Sequence, residues 1–395
     1  MTTHTEKVSN VAGKTLTTSL IVLGLILLGI GGYASLQVFL QGHEAVYAVN
    51  REVPWGLLIA TYAYFVITST GLAFIGGLGH AFGFEKYSKM SKRIVVMAFV
   101  ILLAGFTQIG MEIGHPIRLM IYLILSPNLS APIVWMGVFY GIELVILAVE
   151  LYIIFKPNKK ESDHNTAKIV GFFALLVGVL ATSNLGYVFG SLNARPFYHG
   201  VYFSIFLVIS GITAGAALLL AIHNIIYKFK VPESLHSSMK ALGKLMGAGI
   251  GVMIFLYLWK ILSSLYTQPG DSYLAAKALL TGPLSINFWV GELLLAVVLP
   301  LAIIVFSKAS NMKALGIAGI IFMVGLFFTR YDFIVAGQLP PMREGLAGSG
   351  VHTVNGLAQY SPSATEWMIF ALGWGVFLVL YFLAERFLIL DTKEH

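Results

Sequence analysis

The chain contains no cysteine. That excludes a disulfide, a thiolate-held iron–sulfur cluster and a c-type haem attachment. Charge is nearly as scarce: Asp, Glu, Lys and Arg make up 11% of 395 residues, while 57% are hydrophobic. A soluble chain of this length would form two or three domains with charged, solvated surfaces. Here several apolar runs exceed the ~18 residues that suit a membrane helix. The composition therefore predicts an all-α membrane protein rather than a soluble one. The net charge of +7 sits in short loops between apolar runs, which reads as membrane topology and not as a nucleic-acid surface. The first apolar run, about 15–40, is too long for a signal-peptide core and has no clear small-residue cleavage site.

Ten spans are expected, roughly at 15–40, 53–82, 92–114, 131–155, 167–190, 197–228, 243–267, 283–307, 313–335 and 362–389. With alternating sides, 18 of the 25 Lys and Arg fall on one side, including Lys86, Lys89, Lys92 and Arg93 after the second span. The positive-inside rule makes that side cytoplasmic, with both termini there, as for a multi-pass protein of the cytoplasmic (inner) membrane. The seven left over are Arg51, Arg118, Arg195, Lys260, Lys277, Arg330 and Arg343. The longest loop on the other side, about 336–361, reads as an ordered docking surface or a mobile cover.

Polar residues are most informative when sorted by depth. Glu112 and His115 are three residues apart, on one helix face, where the third span ends at Pro116. Ser183, Asn184 and Tyr187 fall near the same level of span five, His199 and Arg195 at the start of span six, and Arg330 and Asp332 near the end of span nine. One leaflet thus gathers donors, acceptors and titratable groups beside apolar helices, the ingredients of a quinone headgroup site with a proton route. Glu143 lies about 18 Å into span four, near the midplane, and Glu150 stands about 10 Å deeper on the same face. These two are read as a proton path, bridged by water or by Tyr62, Thr68 or Ser69. Glu292 and Lys260, at similar depth in spans eight and seven, are read as a structural pair. His115 with His199, and His80 with His223, share depths, which leaves a bis-histidine haem b anchor as an alternative.

A weak repeat runs through the chain. Val53-Pro54-Trp55-Gly56 opens span two and Arg195-Pro196-Phe197-Tyr198-His199-Gly200 opens span six. Each is followed by a small-residue patch, Gly71 to Gly79 and Gly211 to Gly215. This divides the single membrane domain into two four-helix bundles, 53–190 and 197–335, with 15–40 and 362–389 as flanking helices.

Several of these segments, in this order, carry a resemblance. They are Pro54-Trp55-Gly56, Glu112-Ile113-Gly114-His115-Pro116, Ala194-Arg195-Pro196-Phe197-Tyr198, Phe288-Trp289-Val290-Gly291-Glu292, the Arg330–Gln338 stretch, and Tyr360-Ser361-Pro362-Ser363 with Glu366-Trp367. Over about 50–385 the chain resembles the NrfD/PsrC family of quinone-reactive membrane subunits. Its ten-span layout is more like hydrogenase-2-type membrane subunits than the eight-span polysulfide reductase subunit. The resemblance implies a haem-free chain without its own iron–sulfur cluster, binding menaquinone near the periplasmic side. It implies a ferredoxin-like [4Fe–4S] partner and a periplasmic catalytic subunit, either a molybdopterin enzyme for sulfur compounds or a hydrogenase. It carries Trp55, Tyr62, Glu112, His115, Ser183, Asn184 and Tyr187 over as quinone-site positions. Pro54 and Trp55 stand where shorter members have polar residues, so the headgroup ligands stay open. The competing classes are a secondary transporter, which repeats and intramembrane acids also suit, and a passive anchor that only docks partners.

Overall fold

The computed structural model describes residues 12–158, 160–268, 270–342 and 353–390. Ten helices among them are long and apolar enough to cross a membrane. We number them α1 Lys14–Gln41, α2 Leu57–His80, α3 Ser91–Glu112, α4 Pro132–Phe155, α5 Glu161–Gly190, α6 Tyr202–Ile226, α7 Glu233–Leu265, α8 Asn287–Phe306, α9 Met312–Ala336 and α10 Ala364–Phe387. The chain is therefore an all-α, multi-pass membrane protein. Short helices at His43–Val46, Glu85–Ser88, Pro116–Leu125 and Asp271–Leu280 lie in the connections. A two-stranded hairpin pairs Thr353–Val354 with Leu357–Ala358.

Two helices begin earlier than apolarity alone suggests. α5 starts at Glu161 because Asp163 caps it: its carboxylate accepts from the Lys160 backbone N–H at 2.8 Å and pairs with Lys156 Nζ at 2.8 Å. α7 starts at Glu233, directly after Pro232. Hydropathy marks where a helix enters lipid, but capping decides where it starts.

Each of α2 to α5 packs on the next, and α5 packs back on α2. The helices α6 to α9 do the same, with α9 closing on α6. We call these the first and second quartets. α2 is the most buried helix, because it packs on α3 and α5 of its own quartet and on α6 and α9 of the other. The two glycine patches of the repeat meet here. A Cβ on Gly71 would overlap the Gly211 carbonyl oxygen, so the α2 and α6 backbones touch with no side chain between them. α1 pairs with α10, and α10 packs on α3.

That last contact holds a charge. Arg93, fully buried, donates to Glu385 of α10 at 2.6 Å and to the Tyr381 hydroxyl at 2.6 Å. Arg93 is therefore not one of the loop cations, contrary to expectation. It sits inside the helix contact, its charge neutralised by a carboxylate from the far end of the sequence.

The loops sort onto two faces. Residues of the α2–α3 connection and of the adjoining ends of α4 and α5 line one cleft together with Leu390, so these share a basic face. On the opposite face, Arg195 donates to the carbonyls of Gln338, Pro340 and Glu52. Trp55 and Gln338 exchange two hydrogen bonds there, at 3.0 and 2.8 Å. Tyr360 donates to Glu366 at 2.6 Å and accepts from Leu57 N–H at 2.7 Å. The expected long loop thus has both ends fastened, while its central part, Arg343 and Gly348 included, lies outside the described residues.

Candidate functional site

A line of polar groups runs through the first quartet. At the basic face, His80 Nδ1 lies 2.7 Å from Glu150 Oε1. A cleft of about 350 Å³ reaches His80 of this pair from the basic face, lined also by Asp163, His164 and Lys168. Two helical turns further in stands Glu143, fully buried. Thr70 Oγ1 approaches Glu143 Oε1 at 3.5 Å, Thr182 Oγ1 donates to Thr70 Oγ1 at 2.9 Å, and the Tyr140 hydroxyl is 3.3 Å from Thr182 Oγ1. Each hydroxyl has one proton to give. Since Thr182 gives its proton to Thr70, Tyr140 must give its own to Thr182. The Tyr140 and Thr182 hydroxyls then point one way, toward Thr70, whose own proton has two acceptors within reach, the Gly178 carbonyl at 3.3 Å and Glu143 Oε1 at 3.5 Å. The Tyr62 ring lies against Tyr140, with centroids 6.1 Å apart, and extends the line toward the opposite face.

The line has room because α5 supplies glycine. A Cβ on Gly178 would sit 3.1 Å from Glu143 Oε1, and one on Gly171 would sit 3.5 Å from Glu150 Oε1. Glu143 and Glu150 are seven residues apart on α4, as are Gly171 and Gly178 on the antiparallel α5. Each acid therefore faces its own glycine. Glu143 Oε2 has no hydrogen-bond partner among the described residues, which leaves it an acceptor for a water or a proton. Thr68 and Ser69 do not bridge the two acids as expected. Thr68 donates to the Tyr64 carbonyl and Ser69 to the Ala98 carbonyl, so neither faces the acids. Thr70, next along the helix, points inward instead.

Away from the basic face the expected site residues separate into groups. Glu112 is half-buried and His115 exposed at the end of α3. His43 and Tyr47 stand beside them. Burial, with the Glu112 and Glu366 carboxyls nearby, pushes the Tyr47 phenol above its ordinary range. Burial, and the neighbouring His115, pull the His43 imidazole below its own. Trp55 packs edge-on against Phe189 at 5.2 Å. Asn184 Nδ2 donates to the Pro132 carbonyl at 2.9 Å, while Ser183 bonds its own helix and Tyr187 is half exposed. His199 is exposed. Arg330 and Asp332 belong to the contact between quartets and to the second quartet. Lys260 does not pair with Glu292 as expected. Its ammonium donates to the Phe197 carbonyl and lies 4.4 Å from that ring's centre.

Thr70, Thr182, Tyr140, His43 and Tyr47 escaped the sequence reading. Tyr140 had a signal, three residues before Glu143 and so on its face. Thr182 sits next to Ser183, and only the packing of α5 shows which hydroxyl faces inward. A separate apolar groove of about 540 Å³ lies between α6, α9 and α10, bordered by Tyr64, Phe327, Phe370 and Trp374. It suits a lipid or isoprenoid chain and has almost no polar atom for a headgroup.

Among the described residues no group of three or more His, Cys, Asp or Glu could hold a metal ion. Residues 45–341 match the family described as polysulphide reductase, NrfD, and the chain belongs to that family. It is similar to a selenate reductase subunit from Mesobacillus selenatarsenatis, 23% identical over 94% of both chains. It is also similar to the Hdr-like menaquinol oxidoreductase integral membrane subunit of Archaeoglobus fulgidus, 24% identical over 89% of this chain and 87% of that one.

Proposed function

We propose that this chain is the quinone-reactive membrane subunit of a respiratory oxidoreductase complex. It exchanges electrons between menaquinone or menaquinol and an iron–sulfur partner docked on the face opposite the basic one, which serves a catalytic subunit there. The basic face is cytoplasmic in this reading. The family assignment, and a relative described as a menaquinol oxidoreductase membrane subunit, support the substrate class. The observation that carries the reading is the Glu150–Glu143–Thr70–Thr182–Tyr140 line, a set of acids and hydroxyls buried inside the first quartet. Quinol oxidation releases two protons and quinone reduction takes up two, so a quinone site needs such carriers.

The headgroup binds in this reading at the end of the line away from the basic face. Tyr62 and Tyr140 meet it from below, and Glu112 and His115 take or give its protons at the rim. The quinone supplies the redox chemistry. The chain's own residues hold the headgroup, keep water out with Trp55, Phe189 and neighbouring rings, and move protons through aligned hydroxyls. The helix Pro116–Leu125, apolar and exposed along its length, lies next to this rim with the residues that follow it and offers the partner a surface. Binding of a menaquinone analogue to the purified chain in nanodiscs tests the reading. Saturable binding weakened by His115→Ala is expected, and absence of saturable binding by wild type would contradict it.

A further inference from the structure

The second quartet buries charges that quinone chemistry in the first quartet does not use. Arg330 of α9 is fully buried, and none of its three guanidinium nitrogens has a hydrogen-bond partner among the described residues. It stands between the quartets, in electrostatic reach of Tyr140 and Tyr64 on one side and of Tyr257 and Glu292 on the other. Glu292 of α8, Asp332 of α9 and Tyr257 of α7 line one small cavity, in which the Tyr257 hydroxyl donates to Thr329 Oγ1 at 3.4 Å. Asp332 Oδ1 receives only a long bond from Asn287 at 3.4 Å, and Oδ2 has no partner among the described residues.

Two further observations point to an occupant. Glu292 and Asp332 line a cavity of about 30 Å³ with Tyr257, Thr329 and Lys260, enough for one or two waters. And Glu292 is carried by a π-helix, Asn287–Val298, twelve residues long. Such wide turns are rare and occur mostly as single turns, often at functional sites.

We propose that Glu292 and Asp332 share one exchangeable proton beside this cavity, forming a second proton-binding site of the subunit, with Arg330 as its balancing charge. With one proton between two carboxyls, the trio of Glu292, Asp332 and Arg330 is neutral. With none it carries one excess negative charge, whose nearest further compensation is the Lys260 ammonium on the cavity rim. Lys260 sits on the cavity's other rim, and its ammonium is held by the Phe197 carbonyl and by three rings rather than by an acid. The phenols of Tyr202 and Tyr257 complete the titratable groups around the cavity. Among the described residues no hydrogen bond occupies the guanidinium, which leaves its charge to balance the pair. This site is independent of where the quinone binds, and its test needs no turnover.

Infrared difference spectra of the full-length chain in nanodiscs, titrated with pH and exchanged into deuterium oxide, provide the test. Wild type is expected to show a protonated-carboxyl band that Glu292→Gln and Asp332→Asn each remove. The double variant should remove no more than either single one. Tyr257→Phe, which deletes one oxygen, should shift the band in a protein that remains monodisperse. Arg330→Gln should move the pH at which the band disappears. Separate bands, each lost only with its own residue, or no band assignable to either, would overturn the shared proton. An unchanged titration in Arg330→Gln would remove the arginine from the site.

Discussion

His80 of α2 and Glu150 of α4 meet at 2.7 Å where the first quartet reaches the basic face. Between this pair and Glu143, two turns deeper, the described residues place no hydroxyl or imidazole in hydrogen-bond contact with both acids. Gly171 and Gly178 instead let the α5 backbone lie close against the two acids. The glycines thus fix the packing around the acids.

Gly178→Ala is predicted to impair proton movement at Glu143. Its Cβ would lie 3.1 Å from Glu143 Oε1, tighter than ordinary contact, whereas a Cβ on Gly171 would meet the His80 Cβ first, at 3.0 Å, and Glu150 Oε1 at 3.5 Å. Proton uptake coupled to quinone turnover, measured in proteoliposomes, should fall in Gly178→Ala while the protein still assembles. Equal coupling in wild type and Gly178→Ala would show that the close approach of α5 to Glu143 is not needed.

The Arg93–Glu385 pair predicts a stability effect without a catalytic one. Both side chains are at most 3% exposed. Breaking a buried pair from one side costs about 3–5 kcal/mol. Glu385→Ala should lower the thermal unfolding midpoint and loosen α10 from α3, with quinone binding unaffected at temperatures where the protein is folded. A midpoint within error of wild type would contradict this.

The imidazole of His43 offers a pH test at the rim. Its pKa is lowered, mainly by burial and then by His115. Between that lowered value and the ordinary one of about 6.5, the unfolded chain binds more protons than the folded chain. In that window His43 makes stability rise with pH, and the contribution is lost as pH falls. His115→Ala removes the smaller cause, so nuclear magnetic resonance should show His43 titrating at higher pH, still short of the ordinary value. No movement would place His115 away from it.

Much of the architecture was legible in the sequence. Ten spans follow from run length, and both the acids and the repeat's glycines were visible as exceptions to apolarity. The role of the glycine patches was not visible. They read as generic contacts, and only packing shows that Gly71 and Gly211 meet each other between quartets. The site was harder to read. A helix presents three residues such as Thr68, Ser69 and Thr70 in three directions, and sequence does not say which direction is inward. Charge was misread where a partner came from far along the chain, as with Arg93 and Glu385. Lys260 took a carbonyl and aromatic rings in place of the expected acid, because the Phe197–Tyr202 turn brings them closer.

Topology can be checked separately. Reporter fusions at the C-terminus and in the 191–201 connection should report opposite sides, the first cytoplasmic. The basic loops and Leu390 share one face, and Arg195 with Gln338 and Glu366 shares the other. The same answer from both fusions would break the alternation on which every depth rests.

Proton movement through Glu143 tests the account most directly. In proteoliposomes with pH dyes inside and outside, Glu143→Gln is predicted to keep menaquinone-analogue binding, to slow quinone turnover, and to abolish proton exchange with the basic-face compartment. Turnover and proton stoichiometry equal to wild type would contradict the account and leave Glu143 as a structural hydrogen-bonding group.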